Sequence, residues 1–243
     1  MRQRLACFAL SMLSVCAAPL AQAQESGAQL SKLAPDANVQ VLALAMQARE
    51  CAAQQLGQAP APRIAVIDYS LPSTTPRLWV FDIAQNKLLF REVVAHGQGT
   101  GENMAHNFSN KDGSHQSSLG LFRTTETYQG GNGYSLRMNG LEPGTNDAAR
   151  ARAIVMHGAP YVNPALAKTQ GRIGRSWGCP ALRPEVAKQV IDNLKQGQML
   201  FAYYPDKDWL AHSPFLNCKH KAADTRVAST GGASSTNARA RPR

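Results

Sequence analysis

The chain has 243 residues, 44% hydrophobic and 17% charged, which supplies enough apolar side chain for one principal domain with a real core. Its formal charge of +10 hints at nucleic acid until the charges are placed: Arg2 and Arg4 lie at the start, and Lys219, Lys221, Arg226, Arg239, Arg241 and Arg243 lie in residues 219–243 against Asp224 alone. Residues 24–218 are left with 18 basic and 15 acidic side chains and no dense basic stripe interleaved with aromatics, so nucleic acid is not an expected partner.

Arg2 and Arg4, the apolar run Ala6 to Leu20 and the small-x-small site Ala21-Gln22-Ala23 read in order as a signal peptide over residues 1–23. The other reading is a buried N-terminal helix; the run is too short to cross a membrane. Val15 stands before Cys16 where a lipoprotein site would carry a small residue, so lipidation is not expected. Cleavage near Ala23 implies a periplasmic or secreted protein. It also removes Cys7 and Cys16, leaving Cys51, Cys179 and Cys218. An odd count in an oxidising compartment allows a Cys51–Cys218 pair with Cys179 free, or three reduced thiols, two of them ordinary core residues.

Residues 24–59 read as a polar linker followed by an amphipathic helix over 37–56. Val41, Leu44, Ala48 and Cys51 recur at helical spacing, Asp36 or Asn38 can cap the start, and Gly57 suits the end. From Arg63 the period shortens. Ile64 to Ile67, Leu78 to Phe81 and Leu88 to Ala95 are short β-branched and aromatic runs, the last two joined across Ala84-Gln85-Asn86 as a hairpin. Residues 97–150, rich in Gly, Ser, Asn and Thr, read as long surface loops between short strands. Ala153 to Met156 is a strand ending at His157, Pro184 to Gln196 a helix stopped by Gly197, and Met199 to Tyr204 a further strand. Residues 219–243 have almost nothing to bury and read as a disordered basic tail able to adhere weakly to anionic surfaces. The sum is an α+β domain, predominantly β, over residues 60–218.

Two groups then stand out: His157 at a strand end, and Cys179 in Gly171-Arg172-Ile173-Gly174-Arg175-Ser176-Trp177-Gly178-Cys179-Pro180-Ala181. A thiol ordinarily titrates at about 8.5, so a nearby imidazole raises its thiolate fraction at neutral pH. Gly178 allows a tight turn whose successive N–H groups converge, as an oxyanion hole requires. The helix at Pro184 begins too late to acidify Cys179. Spacing alone leaves a buried Cys beside a structural His equally open. No Cys-x-x-Cys or His-x-x-x-His spacing occurs, so neither a metal nor any other cofactor is expected.

The pair His157-Gly158 and Ser176-Trp177-Gly178-Cys179 resembles the L,D-transpeptidase catalytic domain of YkuD-type fold, specifically its murein branch. Val94 to Gly97, Phe108 to Asn110, Gln116 to Gly120, Gly133 to Leu136 and Ala151 to Gly158 extend the resemblance across roughly residues 60–218. It implies mixed β-sheets or a β-sandwich with a few helices, and a peptidoglycan stem peptide as substrate. Cys179 would be the nucleophile, His157 the base, and the Gly158 carbonyl the group that orients its ring. Backbone N–H groups of Trp177, Gly178 and Cys179 would hold the oxyanion. Ser176 and Arg175 would support the site, with Arg175 and Tyr134 meeting substrate; a structural serine, a solvated arginine and a packed tyrosine are the other readings. His96-Gly97 is a second His-Gly with no cysteine motif after it, so His96 reads as a polar strand-end histidine able to line the cleft as a substrate contact. Most relatives of this fold carry histidine where this chain has Trp177, so a single imidazole stands at the motif.

Three alternatives remain at this stage. The same fold can work hydrolytically, as an L,D-carboxypeptidase or endopeptidase. Other thiol enzymes fit poorly: papain-like and NlpC-type folds place Cys before His, and sortases lack the Ser-x-Gly-Cys setting. A non-catalytic wall-binding module is the third, argued against by retention of both Cys179 and His157. His106 and His115 lie in the polar loops and are expected to be exposed. No feature points to an oligomeric state.

Overall fold

Residues 18–218 are described by a computed structural model; the expected signal segment up to residue 17 and the basic tail lie outside them. Two helices come first, α1 (Ala18–Leu33) and α2 (Val39–Leu56). Asn38 caps α2, its side chain accepting from the Gln40 N–H. The stretch expected to be a polar linker is therefore helical in its larger part. Its Ala, Gln, Leu and Lys residues are good helix formers, and Leu30 and Ala34 are buried. Close approach is what makes the pairing work: a Cβ on Gly27 would come within 2.8 Å of Ala43 on α2.

Eight strands follow: β1 (Arg63–Asp68), β2 (Leu78–Asp82), β3 (Lys87–Glu92), β4 (Gly120–Gly130), β5 (Gly133–Gly140), β6 (Val155–Gly158), β7 (Ala181–Leu182) and β8 (Met199–Tyr203). They form one mixed sheet in the order β3-β2-β1-β8-β4-β5-β6-β7. Only β1–β8 and β6–β7 pair in parallel. Such pairs need crossover connections, and α4 (Pro184–Leu194), between β7 and β8, packs on β6, β5 and β1. Helix α2 packs on β1 and β8. Ile64, Ala65, Val66 and Ile67 are all buried, as a central strand covered on both faces requires.

The long loops expected over 97–150 return over residues 141–150 and hold first as far as residue 119. Beyond it, β4 and β5 form the longest hairpin of the sheet, 11 and 8 residues. The outer half of β4, from Glu126 on, is mostly part-exposed or exposed, so its residues are Thr, Glu, Tyr and Gln rather than an apolar run, and the strand is disguised. Two short helices were also hidden: α3 (Pro164–Gln170), capped by Asn163, and α5 (Lys207–His212), capped by Asp206.

The ends of the domain are tied together. Cys51 on α2 is disulfide-bonded to Cys218, which follows α5, and Cys179 is the free cysteine among the described residues. Of the two readings of the cysteines, the pair is the one realised. Nearby, buried Glu142 accepts from the Leu121 N–H at 2.7 Å and from Trp209 Nε1 at 2.9 Å, joining β4 to α5. The disulfide closes a loop of sequence separation 167. Replacing both Cys51 and Cys218 by alanine should therefore cost about 2–4 kcal/mol of stability. Thermal unfolding should show the same loss on reduction of the unmodified protein, with no further loss on reducing the variant.

Candidate active site

Strand pairing brings the two halves of the site together. In the parallel β6–β7 register His157 lies opposite Ala181, and the Ala159 N–H donates to Leu182 O at 2.9 Å. Cys179 is two residues before Ala181, on the same stretch of backbone. The other side of that stretch is held by residues 95–98. Ala95 N–H donates to Ala181 O at 2.9 Å, Ser176 N–H to His96 O at 2.9 Å, and Gln98 N–H to Ser176 O at 2.8 Å. The approach is so close that a Cβ on Gly97 would stand 2.8 Å from the Gly178 nitrogen and 2.2 Å from the His115 carbonyl oxygen.

The turn from Ser176 to Cys179 is closed by its own serine. Ser176 Oγ donates to Cys179 O at 2.6 Å and accepts from the Gly178 N–H at 3.1 Å. Gly178 has φ 117, a conformation that L side chains rarely adopt. Its N–H was expected among the oxyanion donors, and the Ser176 hydroxyl has taken it instead. The N–H groups of Trp177 and Cys179 make no hydrogen bond among the described residues.

Cys179, His157, Ser176, Trp177 and Arg175 line one cleft of about 420 Å³, joined there by Arg152, Ala153, Tyr161 and Asn132. Cys179 is 8% exposed. Its Sγ accepts from the Val155 N–H at 3.4 Å and approaches Ala153 O at 3.7 Å. Burial pushes the Cys179 thiol up from its ordinary value, with the Val155 N–H and the Arg152 guanidinium pulling the other way. His157 is pushed down by burial, partly offset by the Gly158 carbonyl, which its Nδ1 meets at 3.0 Å. At neutral pH both groups are therefore uncharged. With Nδ1–H spent on Gly158 O, the proton-accepting nitrogen of His157 is Nε2.

Two residues expected to meet substrate stand elsewhere. Tyr134 donates its hydroxyl to Asp192 on α4 at 2.8 Å, under Lys188. It is Ser135, on the opposite face of β5, that pairs with His157. His96 is fully buried, with Nδ1 2.7 Å from Arg77 and Nε2 3.2 Å from Gly101 O. Burial and the Arg77 charge push it down to about 4, so it is a neutral strut behind the cleft. Arg175 does line the cleft, but its guanidinium is already paired with Glu102 at 2.7 Å and bonded to Gly101 O at 3.0 Å. His106 is exposed as expected; His115 is half-buried, its ring stacked on Trp177.

Arg152 carries no such expectation, yet it organises the floor of the cleft. It donates to Ser109 O, Ser118 Oγ, Ser114 Oγ and Gln116 O, all neutral oxygens of one loop. Its sequence signal is its place in the Ala151–Gly158 segment that shares the family resemblance, five residues ahead of His157. Asn132, in the β4–β5 turn, and Tyr161, beyond β6, carry none.

The sequence matches the model of the L,D-transpeptidase catalytic domain over residues 33–203. Among solved structures it is similar to an L,D-transpeptidase from Mycobacterium smegmatis, at 15% identity and TM-score 0.37, over 60% of this chain and 61% of that one. It is also similar to an L,D-transpeptidase from Stackebrandtia nassauensis, at 16% identity and TM-score 0.36, over 76% and 78%. The chain thus spans about three fifths of the length of the mycobacterial protein. No curated protein sequence matches it.

The electrostatics make a direct prediction. Alkylation of Cys179 by iodoacetamide should accelerate with pH through a midpoint above that of a free cysteine. Arg152→Gln, which removes the cation, should move the midpoint higher still. Rates read from intact mass against pH check this; a midpoint below that of free cysteine would mean a thiolate held at rest.

Proposed function

The chain belongs to the L,D-transpeptidase catalytic-domain family, whose model matches residues 33–203, and from that membership we propose that it is a peptidoglycan L,D-transpeptidase working through Cys179 and His157. The observation that carries this reading is the shared cleft. The free thiol among the described residues and an imidazole with Nδ1 tied to a backbone carbonyl line the same 420 Å³ space.

The donor in this reading is a stem tetrapeptide. As Cys179 Sγ attacks the carbonyl carbon of the third, diamino residue at its L centre, the thiol proton passes to His157 Nε2 and a C–S bond forms. The tetrahedral oxyanion is met by the Trp177 and Cys179 N–H groups, which have no partner among the described residues. Collapse breaks the C–N bond, and His157 returns its proton to the departing D-Ala amine. An acceptor amine then attacks the thioester, gives its proton to His157 and leaves a 3–3 crosslink with the thiol re-formed. Water in its place gives a tripeptide.

The Gly158 carbonyl takes the part that a carboxylate plays in other triads, fixing the tautomer of His157. It adds no charge, which fits a base that is neutral at rest. Ser176 acts through the backbone: it shapes the turn that presents Cys179. The Cys51–Cys218 disulfide and the signal-like residues 1–23 support a place outside the cytoplasmic membrane, where disulfides persist.

The test is mass spectrometry of the protein incubated with a diaminopimelate-containing tetrapeptide. Crosslinked dimer or tripeptide should form, together with a thioacyl adduct on the protein. Cys179→Ala should abolish all three. His157→Asn should slow the reaction by about 10²–10⁴-fold while leaving the fold intact. The ratio of dimer to tripeptide reports transfer against hydrolysis. Absence of any product or adduct with folded protein would reject an acyl-transfer role.

A further inference from the structure

Trp177 is 70% exposed, and among the described residues it is the aromatic member of a short set of large apolar side chains left in the open. A tryptophan is ordinarily buried over most of its area. The other two tryptophans show the usual solution: both are buried, with Nε1 donating to Asp36 at 3.4 Å and to Glu142 at 2.9 Å. Trp177 Nε1 makes no hydrogen bond among the described residues.

The indole is nonetheless held in place. His115 stacks on it with ring centroids 4.8 Å apart and planes within 9°. His115 has φ 52, in the left-handed region that few non-glycine residues occupy. The backbone beneath it is clamped. His115 O accepts from the Gly99 N–H at 3.0 Å, Gln116 O accepts from Arg152 at 2.7 Å, and Ser117 Oγ donates to Gly178 O at 3.1 Å. The Gln98 amide meets His115 Nδ1 at 3.2 Å. One face of the indole is backed by the imidazole; the other is free, at the rim of the cleft and two residues from Cys179.

A rigid, solvent-facing indole with amide groups nearby matches a pyranose ring. The C–H face of a sugar carries partial positive charge and packs on the negative π face, while its hydroxyls reach polar neighbours such as Gln98 and Asn132. The reacting end of the proposed stem peptide offers methyl groups and an ammonium that meets an indole only at a point, and no ring-sized face to cover it. The glycan strand to which the stem is joined offers one. We propose that the Trp177–His115 stack is a glycan subsite that seats a sugar ring of the peptidoglycan strand beside the thiol. This rests on the substrate reading above and extends it from the peptide to the polysaccharide.

The test separates the two. Peptide-free GlcNAc–MurNAc oligosaccharide is titrated into the full chain and followed by tryptophan fluorescence and calorimetry. Saturable binding is expected, weakened by about tenfold in Trp177→Ala and largely kept in Trp177→Phe, which preserves a stacking face. With disaccharide-tetrapeptide as donor, Trp177→Ala should raise KM by about the same factor. Residue 177 also supplies an oxyanion N–H, so the deciding quantity is the ratio of the two donors: kcat/KM for the disaccharide-tetrapeptide relative to the sugar-free tetrapeptide should fall by about tenfold in Trp177→Ala. No glycan binding by the unmodified protein, equal binding by Trp177→Ala, or equal losses on both donors would overturn the subsite. Glycan binding lost in Trp177→Ala, with no turnover of either donor by the unmodified protein, would keep the subsite and reject the transpeptidase reading.

Discussion

Backbone pairing on both sides of residues 176–182 sets the position of the Cys179 thiol. On one side the segment meets residues 95–98 through isolated bridges, on the other β6, so the cysteine turn is wedged between two segments distant in sequence. Glycine at 97 and 178 makes the wedge fit, because at either position a Cβ would strike neighbouring backbone. His157 follows from the same pairing. Its register opposite Ala181 places the imidazole next to the turn without any direct bond between the two side chains. The small apolar cluster of Val93, Ala95, Ala159, Val162, Ala167, Ile173 and Ala181 supports this junction from beneath.

That arrangement also decides the charge state of the pair. A cysteine buried to 8% exposure and bonded to neutral backbone groups keeps its proton, and an imidazole buried beside a carbonyl stays uncharged. Under the proposed mechanism no thiolate–imidazolium pair waits in the empty cleft; proton transfer accompanies attack. Arg152 is the cation that favours the thiolate, and it spends its hydrogen bonds on uncharged oxygens of one loop. The same loop presents His115 to Trp177. One guanidinium thus acts on the thiol and also holds the loop that carries His115.

Two devices keep the rest of the domain from moving away from this junction. The Cys51–Cys218 bond ties α2 to the segment after α5, and Glu142 ties β4 to Trp209 inside a buried setting. Burial pushes the Glu142 carboxyl up, while its Trp209 and Leu121 donors pull it down. A buried carboxylate is tolerable only with such donors, since losing one leaves charge or a lone pair unmatched.

Local chemistry was enough to read most elements from the sequence. β-branched runs gave β1 to β3 and β8, and periodic apolar spacing with caps gave α2 and α4. The hairpin β4–β5 escaped because its outer half faces water and carries no apolar run. Cys179, His157, Ser176, Trp177 and Arg175 were legible as residue types in a motif. That Tyr134 turns to Asp192, that His96 is a strut, that Gly178 gives its N–H to Ser176, and that Arg152, Asn132 and Tyr161 enter the cleft were not. The Gly178 bond is local to its turn; the rest depend on strand register and on which face of a strand a side chain takes. Both are set by pairings between segments tens of residues apart, and a one-residue slip would turn a strand's side chains to the other face.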